Sequence, residues 1–139
     1  MGKSVKIIAA IIILIAVPKI IQSVMLKESR SGIAKQMTKV AREVNGELPK
    51  RIDRITTVTK AEFDTTTFTY RVYYTMNPGY KLKKSELASI QADAVGQICS
   101  GSMKLFLEKN ITVEYLYTFN PDGGADQEAS FTVPPTSCK

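Results

Sequence analysis

Two nine-residue stretches, FTYRVYYTM (68–76) and ITVEYLYTF (111–119), fix more of this chain than any other feature. In the first, Phe68, Tyr70, Val72, Tyr74 and Met76 alternate with Thr69, Arg71, Tyr73 and Thr75. In the second, Ile111, Val113, Tyr115, Tyr117 and Phe119 alternate with Thr112, Glu114, Leu116 and Thr118. A period of two is the mark of a strand that buries one face and leaves the other outside the core. The aromatic row of each strand is therefore expected in the core, and the other row on the opposite face. Tyrosine and arginine are enriched where proteins bind one another. Arg71, Tyr73 and Leu116 are thus the candidate partner-binding residues, and a second covering helix is the competing account of that face.

The remaining elements fall around these strands. Ile33, Met37, Val40, Ala41, Val44 and Leu48 recur at helical spacing, with Asn45-Gly46 as a stop and a basic outer face. That helix packs under the sheet, or its basic face attracts anionic lipid. RITTVTKAEFD adds a strand joined to the next by a turn at Asp64 to Thr66, and Asn77-Pro78-Gly79 ends the pair. Ser85 is the expected cap of a helix carrying Leu87, Ile90, Ala94 and Ile98 on one stripe, with Val95 and Cys99 beside it. Ser100-Gly101-Ser102 is expected to break that helix, and MKLFLEKN adds another turn or two. After a turn at PDGG, a last strand carries Ala129, Phe131 and Val133. The expected fold class is α+β: an N-terminal transmembrane helix, then an α-β-β-α-β-β domain with a mostly antiparallel sheet packed on helices.

The transmembrane expectation rests on VKIIAAIIILIAVPKIIQSVML (5–26), which follows the basic tip MGKS. Residues 7 to 26 in a helix span about 30 Å, one hydrocarbon core. Pro18 and Lys19 interrupt it, and the shorter core from Ile7 to Val17 also suits a signal peptide. No clean small-x-small cleavage pattern follows Val17, so the segment is read as an uncleaved signal anchor. A cleaved signal peptide and a buried soluble helix are the alternatives. Residues 1–30 are assigned to the anchor and its flanks, and 31–139 to one exported domain. Lys27, Arg30, Lys35, Lys39 and Arg42 follow the span while Lys3 and Lys6 precede it, which taken alone favours a cytoplasmic domain. The signal-like order and the cysteine pair argue for the outside. The expected location is the bacterial inner membrane, single-pass, with the C-terminal domain in the periplasm.

The formal charge is unevenly divided along the chain. Of a formal +6, residues 1–30 hold +4 (five basic side chains against Glu28), leaving 14 basic and 12 acidic side chains for 31–139. A domain so nearly balanced lacks the footprint that phosphate backbones demand, and no nucleic-acid partner is expected. The chain has no histidine, which removes the commonest general base and zinc ligand together. Its glycines spell neither a phosphate loop nor a dinucleotide fingerprint. Weaker candidates are Ser100 with Lys104 as a serine-lysine pair, Asn120, Asp122 and Asp126 as oxygen ligands, and Asp53, Glu62 and Asp64 as paired acids. Each has a plainer account: a helix end, a hairpin loop and surface carboxylates. No catalytic residue, metal site or cofactor is assigned.

Cys99 and Cys138 are the two cysteines. Paired, they close a loop of about 40 residues around the second hairpin and add roughly 4 kcal/mol in the chain-entropy model; the alternative is two free thiols. A helix ending in Cys, a polar break, KLFLEKNITVEYLYTFNPDGG, a final strand and a terminal Cys together resemble the small periplasmic pilotins of type II secretion systems, of the AspS type. The resemblance covers about residues 46–139 and implies helices packed on one sheet and a bond between Cys99 and Cys138. It departs from the family in lacking a lipobox cysteine. The expected function is that of a membrane-anchored, non-enzymatic envelope protein. It contacts membrane lipid through its N-terminal helix, and its periplasmic domain binds a protein partner, a secretion or pilus component. A cell-wall-acting enzyme, or an inhibitor of a lytic enzyme, is the alternative. The oligomeric state is left open.

Overall fold

The computed structural model describes residues 29–138. Helix α1 (Arg30–Asn45) is followed by strands β1 (Lys50–Arg51), β2 (Thr56–Asp64) and β3 (Thr69–Met76). Helices α2 (Lys84–Ser100) and α3 (Lys104–Glu108) then lead to β4 (Thr112–Phe119) and β5 (Gln127–Val133). The strands form one five-stranded sheet in the order β1-β2-β3-β4-β5. β1–β2, β2–β3 and β4–β5 are antiparallel, and the central pair β3–β4 is parallel.

This corrects the expected α-β-β-α-β-β order with a mostly antiparallel sheet: the sheet is mixed, since the middle seam is parallel between antiparallel ones, β1 is additional, and the extra turn expected of MKLFLEKN is the separate helix α3. The reason lies in the connection. A tight turn can join only antiparallel neighbours, whereas residues 77–111 carry two helices over one face and return the chain to run alongside β3. The expected N-terminal transmembrane helix over 5–26 lies outside the described residues. Among the described residues no helix is long and apolar enough to cross a membrane. The placement as a single-pass inner-membrane protein has no support in the structure and is set aside.

The helices cover one face of the sheet. Ile33, Met37, Val40, Ala41 and Val44 of α1 and Ile90, Ala94 and Ile98 of α2 are buried against Tyr70, Val72, Tyr74, Val113, Tyr115 and Val133. The aromatic rows meet as a stack across three strands, with Tyr74 and Tyr117 centroids 4.7 Å apart and Tyr115 and Phe131 also 4.7 Å apart. Offset stacking of this kind adds to the burial energy of each ring. Tyr70 meets Phe106 edge-on at 5.8 Å, which fastens α3 to the same layer.

Local chemistry sets the element ends. Ser29 Oγ accepts the Gly32 N–H at 3.1 Å and caps α1. α2 starts one residue before Ser85, the expected cap. There Glu86 accepts the Lys83 N–H at 3.0 Å and the Tyr80 hydroxyl at 2.6 Å. Phe68 has a φ of 55°, unusual for a bulky side chain and worth about 1 kcal/mol of strain or more. The Phe63 ring edge at 5.2 Å and the Arg30 guanidinium at 4.0 Å hold it there. Its carbonyl accepts the Thr112 N–H at 3.1 Å, so this strained residue opens the parallel seam.

β1 ends its pairing at Val58, and a bulge between Val58 and Lys60 turns β2 so that Ala61 again faces the core. The Ala61 edge groups there have no neighbouring strand. The Asn45 side chain supplies one, accepting the Ala61 N–H at 2.8 Å and donating to its carbonyl at 2.6 Å. Asn45→Ala strands both backbone groups and is expected to cost about 2 kcal/mol in chemical denaturation. A loss within error would mean that water replaces the amide.

Candidate functional site: the uncovered sheet face

The polar rows of the strands share the face away from the helices. The register aligns Lys60, Tyr73, Leu116 and Ser130 in one row across β2 to β5, and Glu62, Arg71, Glu114 and Thr132 in the next. Among the described residues no helix crosses this face. Arg71, Tyr73 and Leu116 are brought together here, Tyr73 directly opposite Leu116 across the parallel seam.

Arg71 is the centre of a charge network. Its Nε donates to Glu114 at 2.7 Å across the seam and one terminal nitrogen donates to Asp64 at 2.9 Å, while Glu62 lies 3.6 Å away. The Tyr73 hydroxyl donates to Glu62 at 3.0 Å, and Lys60 pairs with Glu62 at 3.1 Å while standing 5.3 Å above the Tyr73 ring. The network ties β2, β3 and β4 together and fixes the rotamers of Arg71 and Tyr73.

The titrations follow from these contacts. The Arg71 guanidinium, helped by the Thr67 and Thr66 amides, pulls the Asp64 carboxyl down to about 2. Burial alone raises Glu62, but donation from Lys60 and Tyr73 and the nearby cations outweigh it and hold the group low. Tyr73 is pushed up by burial and by its bond to Glu62. Arg71 is held as a cation first by Asp64 and then by Glu114. The lowered Glu62 and Asp64 carboxyls and the raised Tyr73 hydroxyl and Arg71 guanidinium all move away from neutral pH.

Beside the network, Tyr73, Leu116, Thr118, Glu128 and Ser130 line a shallow depression of about 250 Å³ that reaches β5. It combines an aromatic ring, a partly exposed leucine and an acid. That mixture suits contact with another chain better than enclosure of a small molecule.

Further depressions lie elsewhere on the described residues. One, of about 330 Å³, lies between α3 and the C-terminal segment and includes Lys104, Glu108, Pro135 and Cys138. Another, of about 470 Å³, lies on α1 beside Lys35, Lys39, Arg42 and Thr65, the basic face noted in the sequence. Cys99 and Cys138 are bonded, with Cα atoms 5.4 Å apart, and fasten the segment after β5 to α2.

The remaining sequence candidates are drawn into local structure. Ser100 Oγ donates to the Gly96 carbonyl within its own helix. Asn120 donates to Gly124 at 2.7 Å and to Asp126 at 3.2 Å, while Asp122 accepts the Gly124 N–H at 3.1 Å, which closes the β4–β5 loop. Asp53 accepts the Ile55 and Thr56 N–H groups, both at 2.7 Å, as a turn former ahead of β2. Glu62 and Asp64 do converge, but on Arg71 instead of on an open space between two acids. Among the described residues no group of histidine, cysteine and acidic side chains has the arrangement to hold a metal ion.

The reading from sequence missed the partnership of Arg71 with Glu62, Asp64 and Glu114. One signal was available, since Arg71 and Glu114 hold the same position in two strands of matching phase. Only the parallel register makes those positions neighbours.

Neither a protein-family model nor a curated protein matches the chain. Among solved structures, it is similar to a crystal structure of a "putative secreted protein" from Pseudomonas aeruginosa, at 16% identity and a TM-score of 0.64. The likeness covers 76% of this chain and 92% of that one. It establishes that the two share a fold.

Proposed function

We propose that this chain is an exported, non-enzymatic domain that binds a protein partner of the cell envelope through the uncovered sheet face. The observation that carries the reading is the pairing of Tyr73 with Leu116 beside an Arg71 bonded to Glu114 and Asp64. An aromatic ring and a leucine stay partly exposed beside charges on Arg71, Glu62, Asp64 and Glu114 that already hold one another, so Arg71 and Tyr73 have little side-chain entropy left to lose on docking. Export is supported by the Cys99–Cys138 bond, which persists in oxidising compartments. It is also supported by a fold shared with a protein named as secreted. The resemblance to pilotins adds a finer proposal, that the partner is a secretion or pilus component.

A photo-crosslinking amino acid at Leu116, used in the native host, tests the reading. It is expected to give a discrete protein adduct that is lost when Tyr73→Ala is added, whereas the same probe on exposed Lys39 of α1 gives none. Absence of any adduct from Leu116, with the domain folded, would sink the proposal.

A further inference from the structure

β5 is the outer strand at one end of the sheet, and no other strand among the described residues pairs with its far edge. Its register places Glu128, Ser130 and Thr132 on the uncovered face and Ala129, Phe131 and Val133 towards the helices. Gln91 of α2 reaches the Thr132 carbonyl at 3.2 Å, so that carbonyl points away from β4. In an antiparallel strand the N–H and C=O of one residue point the same way and alternate residues match. Glu128 and Ser130 therefore also direct their backbone groups outward, one donor and one acceptor each. An edge is ordinarily blunted by lysine, proline or a bulge. Residues 127–133 contain no lysine or proline, and their pairing with β4 runs without a bulge.

We infer that this edge accepts an extended segment of the partner, which adds a strand beside β5 and sets a lysine or arginine against Glu128. The inference rests on the partner-binding reading above and names the form the partner takes. Two observations select that occupant. Glu128 is exposed and forms no ion pair with a described residue, unlike Glu62, Asp64 and Glu114. The depression lined by Tyr73, Leu116, Glu128 and Ser130 opens directly beside the edge, so a long cationic side chain can lay its stem over Leu116 and its charge at Glu128. A second copy of β5 fits less well, because it offers only Glu128, Ser130 and Thr132 on that face and brings no cation. Backbone bonds supply the docking and the alternate side chain supplies selectivity, as in other cases of strand addition.

The test is an amide NMR titration of the full chain with a capped synthetic heptapeptide alternating threonine and lysine, alongside the same peptide with glutamate for lysine. The lysine peptide is expected to shift amides of residues 127–133 and to slow hydrogen exchange at Glu128 and Ser130. The glutamate peptide is expected to bind about tenfold more weakly, and Glu128→Lys to reverse that preference. Ser130→Pro, which removes one outward donor from an edge strand, should abolish peptide binding while the rest of the amide spectrum stays folded.

No shift at millimolar lysine peptide, equal response to both peptides, or unchanged exchange at Glu128 and Ser130 would each overturn the inference. So would concentration-dependent dimerisation that protects β5 in the absence of peptide. If the Leu116 adduct survives in folded Ser130→Pro, strand addition is wrong and the partner-binding face stands. If Leu116 gives no adduct at all, the reading beneath it fails.

Discussion

Replacing Cys99 and Cys138 together by alanine is expected to lower the stability of the domain by about 4 kcal/mol and its melting temperature by roughly 15–25 °C. The bond joins residues 39 apart in sequence and encloses α3, β4 and β5. Opening it returns to the unfolded chain the freedom to spread that whole segment. In the native state the cut frees the residues after Pro134, which otherwise hold Cys138 partly buried on the core. Denaturation of the double variant beside the oxidised wild type measures the loss, and a change under about 1 kcal/mol would show that the denatured chain is already compact there. In intact cells the wild-type thiols are expected to stay unlabelled by maleimide until a reductant is added. Free labelling beforehand would remove the main physical argument for export.

The Arg71→Met variant is expected to cost about 2 kcal/mol at neutral pH. Glu62, Asp64 and Glu114 then face one another with Lys60 as the nearby cation, and the two bonds across β2–β3–β4 are gone. The Arg71 side chain is 22% exposed, so solvent screening keeps the loss below that of a fully buried pair. The effect depends on pH in a determined direction. In the wild type the Asp64 carboxyl is depressed to about 2, so its contribution is complete above the ordinary aspartate value near 4. It is lost as the pH falls through about 2. In Arg71→Met the carboxyl should titrate above its wild-type midpoint but below the ordinary value, because the Thr66 and Thr67 amides still hold it, and the stability gap between the two proteins should narrow as acid is added. Carboxyl NMR of Asp64 decides the point, and an unchanged midpoint would mean that the Thr66 and Thr67 amides, not Arg71, hold the group low.

How much of this was legible in the sequence depends on the range of the forces involved. The phase of Tyr70, Val72 and Tyr74 against Arg71 and Tyr73 is a local property of a pleated strand, and it placed both rows on their correct faces. The helical stripe of α1 and the break after Ser100 are local in the same sense. The pairing of Cys99 with Cys138 was accessible because two cysteines allow only one intrachain bond.

The direction of β4 relative to β3 was not legible, since Ile111 to Phe119 reads the same with either neighbour orientation. The Arg71 network was hidden with it, because Glu114 becomes a partner only in the parallel register. Ser85 reads as a cap because its hydroxyl suits the role. The cap position falls on Lys83, whose N–H Glu86 accepts, and Tyr80 steadies that carboxylate from six residues away. The bulge in β2 and its repair by Asn45 also lie beyond pattern reading, because the amide acts on Ala61, 16 residues away.

The parallel seam also shapes how the molecule comes to exist. The β2–β3 and β4–β5 pairs close over short turns and can form early, each from neighbouring residues. Their joining is different, since Arg71 and Glu114 are separated by 43 residues. The chain between them holds α2 and α3, so closing that loop costs more entropy than closing either hairpin. The two hairpins are therefore expected to form faster than the union of the two halves. The strained Phe68, whose carbonyl takes the first bond of that union, stands where the two halves close.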